Sequence, residues 1–407
     1  MATYDLLLKG GHVLDPGSGR DGTFDIGVAG GLIAAIEPDI NETEATTVLR
    51  VGGPNRHVVP GLLDIHTHVA HGATTRGVGM GCCEPDAIGV QSGVTTVVDC
   101  GSVGVANVGT FPVHILPRAK TRVLCYVNAG TFAHTTPRFA DIGSLDEVDE
   151  GAIANCVEAN PGLVSGIKLR LVGPIMVEQG EEVVSRCLAA ARRHQIPLMV
   201  HIGDPRAGEG GHPDRVAELT RFLLRNFSEG DILTHLCTPH VGGVMDAARK
   251  PVPELAEARA SGVVLDSALG MGNFGYEVAR EQAQLGVQPD SISSDLTAMG
   301  QSFHSLMECM AKFMAVGYTL ADVVTMTTAN AARAIGLADR LGALQVGREA
   351  DITVLDVVEG DFAFRDTTRQ EFRGSFGIVP VQTVRAGELF APRWGTHPWG
   401  WLPETAA

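Results

Sequence analysis

Two histidines spaced i and i+2, His66-Thr67-His68, close the apolar run Val58-Val59-Pro60-Gly61-Leu62-Leu63-Asp64-Ile65. On a strand, residues two apart project from one face, so both imidazoles and the Asp64 carboxylate are expected to point the same way. Such a pair on a rigid backbone suits a borderline-soft divalent cation such as zinc. Alone it is a weak signal, since histidine pairs also arise on ordinary surfaces. Two more histidines end apolar runs, His201 after Leu198-Met199-Val200 and His235 after Ile232-Leu233-Thr234, and Asp295 follows Ser293-Ser294 at the end of a further strand candidate. A single histidine ending a strand is usually a hydrogen-bonded core residue. Four histidines with a carboxylate, on strands that converge, read as a metal site.

The run Gly166-Ile167-Lys168-Leu169-Arg170-Leu171 places Lys168 and Arg170 on one face and Ile167, Leu169 and Leu171 on the other. If the aliphatic face packs outward, both cations point inward. Burial lowers a lysine's pKa toward the neutral amine. A neutral amine adds carbon dioxide to form a carbamate with two oxygens for metals; the plainer alternative is a Lys-Asp ion pair. Arg170 is a candidate for a substrate carboxylate through its planar donors, or for a salt bridge to Asp204 or Asp266. Asn128 and Asn273, at strand ends or in the following loops, are candidate substrate donors, and so is His240 in Thr238-Pro239-His240. His71, His134 and His304 read as loop or helix residues, and Cys82-Cys83 as a Gly-rich loop near the substrate.

These residues need a scaffold that gathers strand ends. From about residue 58 to 316, β-branched apolar runs alternate with helical patterns, which implies parallel strands joined by crossover helices. Strands are predicted at 62–68, 94–100, 122–128, 165–171, 197–202, 231–237, 262–267 and 291–295, with helices such as 178–194 and 214–227 between them. Eight units in about 260 residues fit a closed (β/α)8 TIM-type barrel of the α/β class, whose active sites lie at the C-terminal ends of the strands. The predicted domains are 1–57 and 346–407, joining as one small β-sandwich built from both termini, and the barrel 58–345 inserted between them.

Composition agrees. With 407 residues, 44% hydrophobic and 19% charged, the chain is long enough for one large core and a smaller module. A net charge of −16 argues against nucleic-acid partners, which call for a basic footprint. No apolar run reaches the roughly 18 residues of a membrane span and no leader pattern opens the chain, so no membrane partner and a cytoplasmic location are expected. The eight cysteines contain no Cys-x-x-Cys pair, which suggests reduced core thiols.

Taken together, Pro60-Gly61-Leu62-Leu63-Asp64-Ile65-His66-Thr67-His68, Gly93-Val94-Thr95-Thr96-Val97-Val98-Asp99, the lysine strand, His201, His235, Asp295 and the closing Gly347-Arg348-Glu349-Ala350-Asp351-Ile352 resemble the amidohydrolase superfamily of metal-dependent hydrolases. The resemblance implies two Zn2+ per chain, bridged by hydroxide and by a carboxylated Lys168. His66, His68, Lys168 and Asp295 would hold one ion, and Lys168, His201 and His235 the other. Asp295 would also be the catalytic base and acid. The sequence is most similar to the deacetylase-like branch near the dihydroorotases, on Glu84-Pro85-Asp86-Ala87-Ile88-Gly89-Val90-Gln91-Ser92-Gly93-Val94-Thr95 and Ser165-Gly166-Ile167-Lys168-Leu169-Arg170. That branch's type of activity is hydrolysis of acetylated small hydroxy acids such as acetyl-mandelate. Where its pattern has Asp, two small residues and His-Gly, this chain has Asp266-Ser267-Ala268-Leu269-Gly270, so a polar substrate contact is expected to be missing.

Three functions follow as expectations: an acyl ester or amide hydrolase for a small carboxylate, a cyclic amide hydrolase of the dihydroorotase or hydantoinase type, or a non-catalytic relative that keeps the barrel for assembly. The resemblance also implies a small-molecule substrate and a homo-oligomer. Asp64 or Asp99 is expected to accept from the second nitrogen of a metal-binding imidazole.

Overall fold

Strands covered on both faces read as continuous apolar runs, and the runs of this chain form a barrel in the computed structural model, which describes residues 2–72, 81–131, 133, 142–207, 212–298 and 303–393. Five strands precede the barrel: β1 (Tyr4–Asp15), β2 (Arg20–Ala29), β3 (Leu32–Glu37), β4 (Ala45–Arg50) and β5 (Arg56–Pro60). The barrel strands are β6 (Leu62–Thr67), β7 (Val94–Cys100), β8 (Arg122–Asn128), β9 (Val164–Arg170), β10 (Leu198–His201), β11 (Ile232–Thr234), β12 (Val264–Ala268) and β13 (Ser291–Ser293). Each pairs in parallel with the next. A parallel bridge between Thr67 and Leu296 brings the last strand back to the first. This is the predicted (β/α)8 architecture.

Its outer layer is built by the aliphatic faces. Ile167 and Leu169 of β9, and Leu171 just past it, are buried in one core cluster with Val183, Val184 and Cys187 of the helix Pro174–His194, and with Leu219 and Leu223 of the helix Pro213–Asn226. Lys168, on the opposite face, is 1% exposed.

After the barrel come β14 (Ile352–Arg365), β15 (Glu371–Arg385) and β16 (Glu388–Phe390). They join the N-terminal strands in one mixed sheet of order β16-β15-β14-β5-β1-β2-β3, with β4 paired to β1. The two termini thus meet as predicted, as a separate sheet beside the barrel. β1 serves two parallel partners, β4 with its first half and β5 with its second. The change of partner falls at a register shift between Leu8 and Gly11. A Cβ at Gly11 would lie 2.5 Å from Val58 Cγ2, so only glycine lets β5 approach there. Among the described residues, no helix is long and apolar enough to cross a membrane.

Candidate metal centre

The six residues singled out as ligands meet at the C-terminal mouth of the barrel. His66 lies on β6, Lys168 on β9 and His201 at the end of β10; His68, His235 and Asp295 stand just past β6, β11 and β13. Lys168 Nζ is 2.8 Å from His66 Nε2. Asp295 Oδ1 lies 3.0 Å from His68 Nε2 and 3.5 Å from His66 Nε2, and its Oδ2 is 3.9 Å from His235 Nε2. The His201 and His235 rings are 4.1 Å apart between centroids.

Backbone geometry presents two of them. His235 and Asp295 have φ of 73° and 53°, the left-handed region that non-glycine residues rarely occupy. Each turns the chain out of its strand, so β11 and β13 stop at Thr234 and Ser293, short of their predicted ends. Strain of this kind is retained where surrounding structure enforces it, and it concentrates at functional sites.

Three of the four imidazoles are oriented from behind through Nδ1. His66 Nδ1 is 2.8 Å from Thr234 Oγ1, which donates to Asp266 Oδ2 at 2.6 Å. His68 Nδ1 is 2.8 Å from Ser102 Oγ, and His235 Nδ1 is 2.9 Å from the carbonyl of Ala268. The expectation that Asp64 or Asp99 would do this is overturned. A register irregularity in β6 between Asp64 and Thr67 breaks the two-residue alternation, and Asp64 instead accepts from Ser294 N at 3.0 Å. Asp99 accepts from the backbone of Val69, Ala70 and Ser102. Nothing in the sequence marks Thr234 or Ser102 as a partner of a histidine, and Asp266 stands out there only as a candidate partner of Arg170, although the β11–β12 register pairs Thr234 with Asp266.

Electrostatics favour neutral nitrogen ligands. Burial, with the neighbouring lysine and imidazoles adding to it, holds His66 well below the usual histidine range. Burial likewise depresses His201 well below that range, and pushes His235 down to about 3. Burial also lowers the Lys168 ammonium, against the opposing pull of Cys100 and Asp295. For Asp295, burial pushes upward, but the bond to His68 and the nearby cations overcome it, and the carboxyl sits below its ordinary value. Asp64, by contrast, is raised to about 7, mainly by burial.

This donor set fits a divalent metal. One atom from each of His66, His235 and Asp295 lies within 4.8 Å of the others. Among the described residues His235 Nε2 is buried without a hydrogen-bond partner, which is costly unless something else occupies its lone pair. Neutral imidazoles and an ionised carboxylate are the forms a metal binds.

The residues proposed to touch substrate are placed unequally. Arg170 ends β9 in register with His201 and is half-buried. The carboxylates weighed as its partners are engaged elsewhere, Asp204 with the backbone of Gly173 and Arg206, and Asp266 with Thr234, Ser291 and Ser293. Asn273 lies in the loop after β12, with Oδ1 accepting from Thr238 Oγ1 at 3.1 Å. His240 is half-buried and bonded to the backbone of Gly272 in that same loop. Asn128 Nδ2 donates to Gly101 O and Oδ1 accepts from Gly130 N, so it braces two loops beside Lys168.

Leu269, at the position expected to lack a polar contact, is fully buried in the barrel's hydrophobic core. Cys83 N–H donates to the carbonyl of His68, and burial pushes both the Cys82 and Cys83 thiols up to about 12, so neither is a ready nucleophile. His71 Nδ1 lies 3.3 Å from the Cys82 carbonyl, and His304 N donates to Glu308 on the next helix. His134 lies outside the described residues.

Comparison with known proteins agrees with this geometry. Residues 57–389 match the model of the Amidohydrolase family. A protein of Brucella anthropi named a deacetylase is 29% identical over 384 residues, which span 92% of this chain and 90% of that one. Two solved structures, of an adenine deaminase and a dihydroorotase, superpose with TM-scores of 0.83 and 0.80 at 26% identity. Each covers 95% of this chain, and 100% and 99% of its own.

Proposed function

Because this chain belongs to the amidohydrolase family and is a hydrolase, we propose that it uses a pair of zinc ions to cleave an acyl ester or amide bond of a small carboxylate. The observation that carries the reading is the convergence of four imidazoles, a buried lysine and Asp295, with His235 Nε2 left without a hydrogen-bond partner among the described residues. His66, His68, Lys168 and Asp295 would hold one ion, and Lys168, His201 and His235 the other, with Lys168 carboxylated. Metal bound there supplies Lewis acidity, which polarises a carbonyl oxygen and makes water acidic enough to yield a nucleophile near neutral pH.

The protein's own groups do the rest. Asp295, held below the ordinary carboxylate range, is the base that takes the water proton and later returns it to the departing oxygen or nitrogen. Arg170, at the rim beside His201, binds the substrate carboxylate through its forked donors. Thr238 fixes the Asn273 amide by donating to its oxygen, which leaves Nδ2 as a donor to the substrate. His240 closes the same side of the mouth. The deacetylase named above, similar along most of both chains, favours an acetyl group as the acyl portion.

The likeness to a dihydroorotase supports a second reading, cyclic amide hydrolysis by the same groups. A hydrolysis screen with the zinc-loaded protein over acetylated α-hydroxy acids, N-acetyl amino acids, dihydroorotate and hydantoins separates the two. Turnover of the acyl compounds is expected. Turnover of the cyclic amides alone would replace the first reading with the second. Lys168→Ala is expected to lower bound zinc from near two ions per chain and abolish turnover; unchanged metal content would remove the lysine from the centre.

A further inference from the structure

The outer ends of β14 and β15 leave the terminal sheet as a long hairpin. Phe364 pairs with Phe372 and Arg365 with Glu371, and the turn that follows crosses to the barrel mouth. There it meets the loop 269–275 after β12. Thr367 Oγ1 donates to Phe274 O at 2.8 Å and accepts from Phe274 N at 3.0 Å, and Thr367 N donates to the same carbonyl at 3.0 Å. Asp366 Oδ2 accepts from Tyr276 N at 3.0 Å. Tyr276 opens the helix Tyr276–Gln284, whose N-cap is Gly275 and carries no side-chain cap of its own. A carboxylate at that point serves both the free N–H and the helix dipole.

The tip is itself rigid. Asp366 is 2% exposed, and its Oδ1 accepts from Thr368 N, Thr368 Oγ1 and Gln370 N. Aromatic packing locks the same contact: the Tyr276 ring stacks on Phe372 with centroids 4.0 Å apart, and Phe274 packs against Phe313 at 5.5 Å.

The gripped loop is the wall of the candidate active site. A Cβ on Gly270 would lie 2.2 Å from Asp295 Oδ2, and one on Gly272 would lie 3.2 Å from His240 Nε2. Asn273 immediately precedes Phe274. Thr367 therefore satisfies both backbone polar groups of a residue adjacent to the candidate substrate donor, four positions from the glycine that faces the base.

We propose that Thr367 and Asp366 are positioning residues for the active site, through which the terminal sheet sets the place of Gly270 and Asn273 over Asp295. This rests on the roles given above to Asp295 and Asn273. The backbone contacts at Phe274 can be altered without touching any ligand.

The test uses the full-length, zinc-loaded protein carrying Thr367→Val, which removes the hydroxyl at nearly constant volume, with Thr367→Ser as the rescue. Backbone hydrogen exchange over 269–276 is expected to quicken roughly tenfold in the valine variant and return to the wild-type rate in the serine variant, with the barrel strands unchanged. Unchanged exchange in the loop would overturn the proposal. On an acetylated α-hydroxy acid, Thr367→Val is expected to raise KM several-fold, and less so once Asn273 is already alanine. Fully multiplicative effects of Thr367→Val and Asn273→Ala would overturn it too. If Thr367→Val does not fold, Asp366→Asn replaces it with the same expected exchange and kinetics. A wild-type protein inactive on every acyl compound would sink the acyl ester or amide reading, while the exchange comparison would still decide whether the hairpin holds the loop.

Discussion

At the scale of single residues, the partners of the candidate ligands govern their chemistry. Thr234 has one hydroxyl proton and gives it to Asp266, so its oxygen accepts from His66 Nδ1–H and leaves Nε2 unprotonated toward Lys168 and Asp295. Thr234→Val keeps the shape and removes the relay. Zinc affinity measured by competition with a chelator is expected to fall about ten- to a hundredfold, with Thr234→Ser close to wild type. Equal affinity in all three proteins would show that His66 needs no such orientation. The candidate ligands were legible, because His66, His201 and His235 each end an apolar run and Asp295 ends the last strand of the same alternation. Their partners were not. Thr234 and Asp266 become neighbours of His66 only through strand register and barrel closure, and the irregularity in β6 turns Asp64 away from the histidines it shares a run with.

At the scale of elements, the loops beyond the strands shape the site more than the strands do. Gly270 combines a φ of 57° with a Cβ position 2.2 Å from Asp295 Oδ2. Gly270→Ala would displace either the loop or the base, and misplacement near a reacting centre costs on the order of a hundredfold in rate. That loss in kcat/KM is expected while bound metal stays near wild type, and an active alanine variant would show that the loop yields freely. The alternation of short apolar runs with helical patterns finds all eight barrel strands, although β13 has Ile292 as its one apolar residue. It overran β11 and β13, since nothing in Thr234-His235 or Ser294-Asp295 announces a left-handed residue. In the terminal sheet, burial pushes Asp25 upward, but Lys9 and the N–H groups of Ile40 and Gly10 outweigh it and hold the carboxyl below its ordinary value. A lowered folded-state pKa contributes stability above the unfolded value near 4 and loses it as pH falls through the folded value. Urea unfolding should therefore show wild-type stability dropping below about pH 4 more steeply than that of Asp25→Asn; parallel curves would remove Asp25 from the acid response.

At the scale of the whole molecule, two bodies are stitched at both ends of the barrel. At the mouth the hairpin tip reaches loop 269–275. At the opposite end, Arg122 opens β8 and joins the terminal sheet, with Nη1 2.9 Å from Asp351 Oδ2 and Nη2 paired with Glu349. The Asp351 carboxylate also accepts from Ala386 N and its backbone carbonyl from Gly61 N, so one residue, through side chain and backbone, gathers the chain entering the barrel and the strands after it. The Arg122 and Asp351 side chains are only 12% and 4% exposed. Removing one partner of a buried pair strands the other charge at a cost of about 3 kcal/mol. Arg122→Ala is expected to lose stability of that order in urea unfolding and to leave kcat/KM near wild type, because the contact lies at the end of the barrel remote from the chemistry. The unfolding should remain one transition, since the sheet is made of both termini and cannot complete itself without the barrel between them. Separation into two transitions in Arg122→Ala would mean that the sheet and barrel are held together by this network rather than by their shared core. A fall in kcat/KM matching the loss of stability would mean that strain at the far end reaches the mouth.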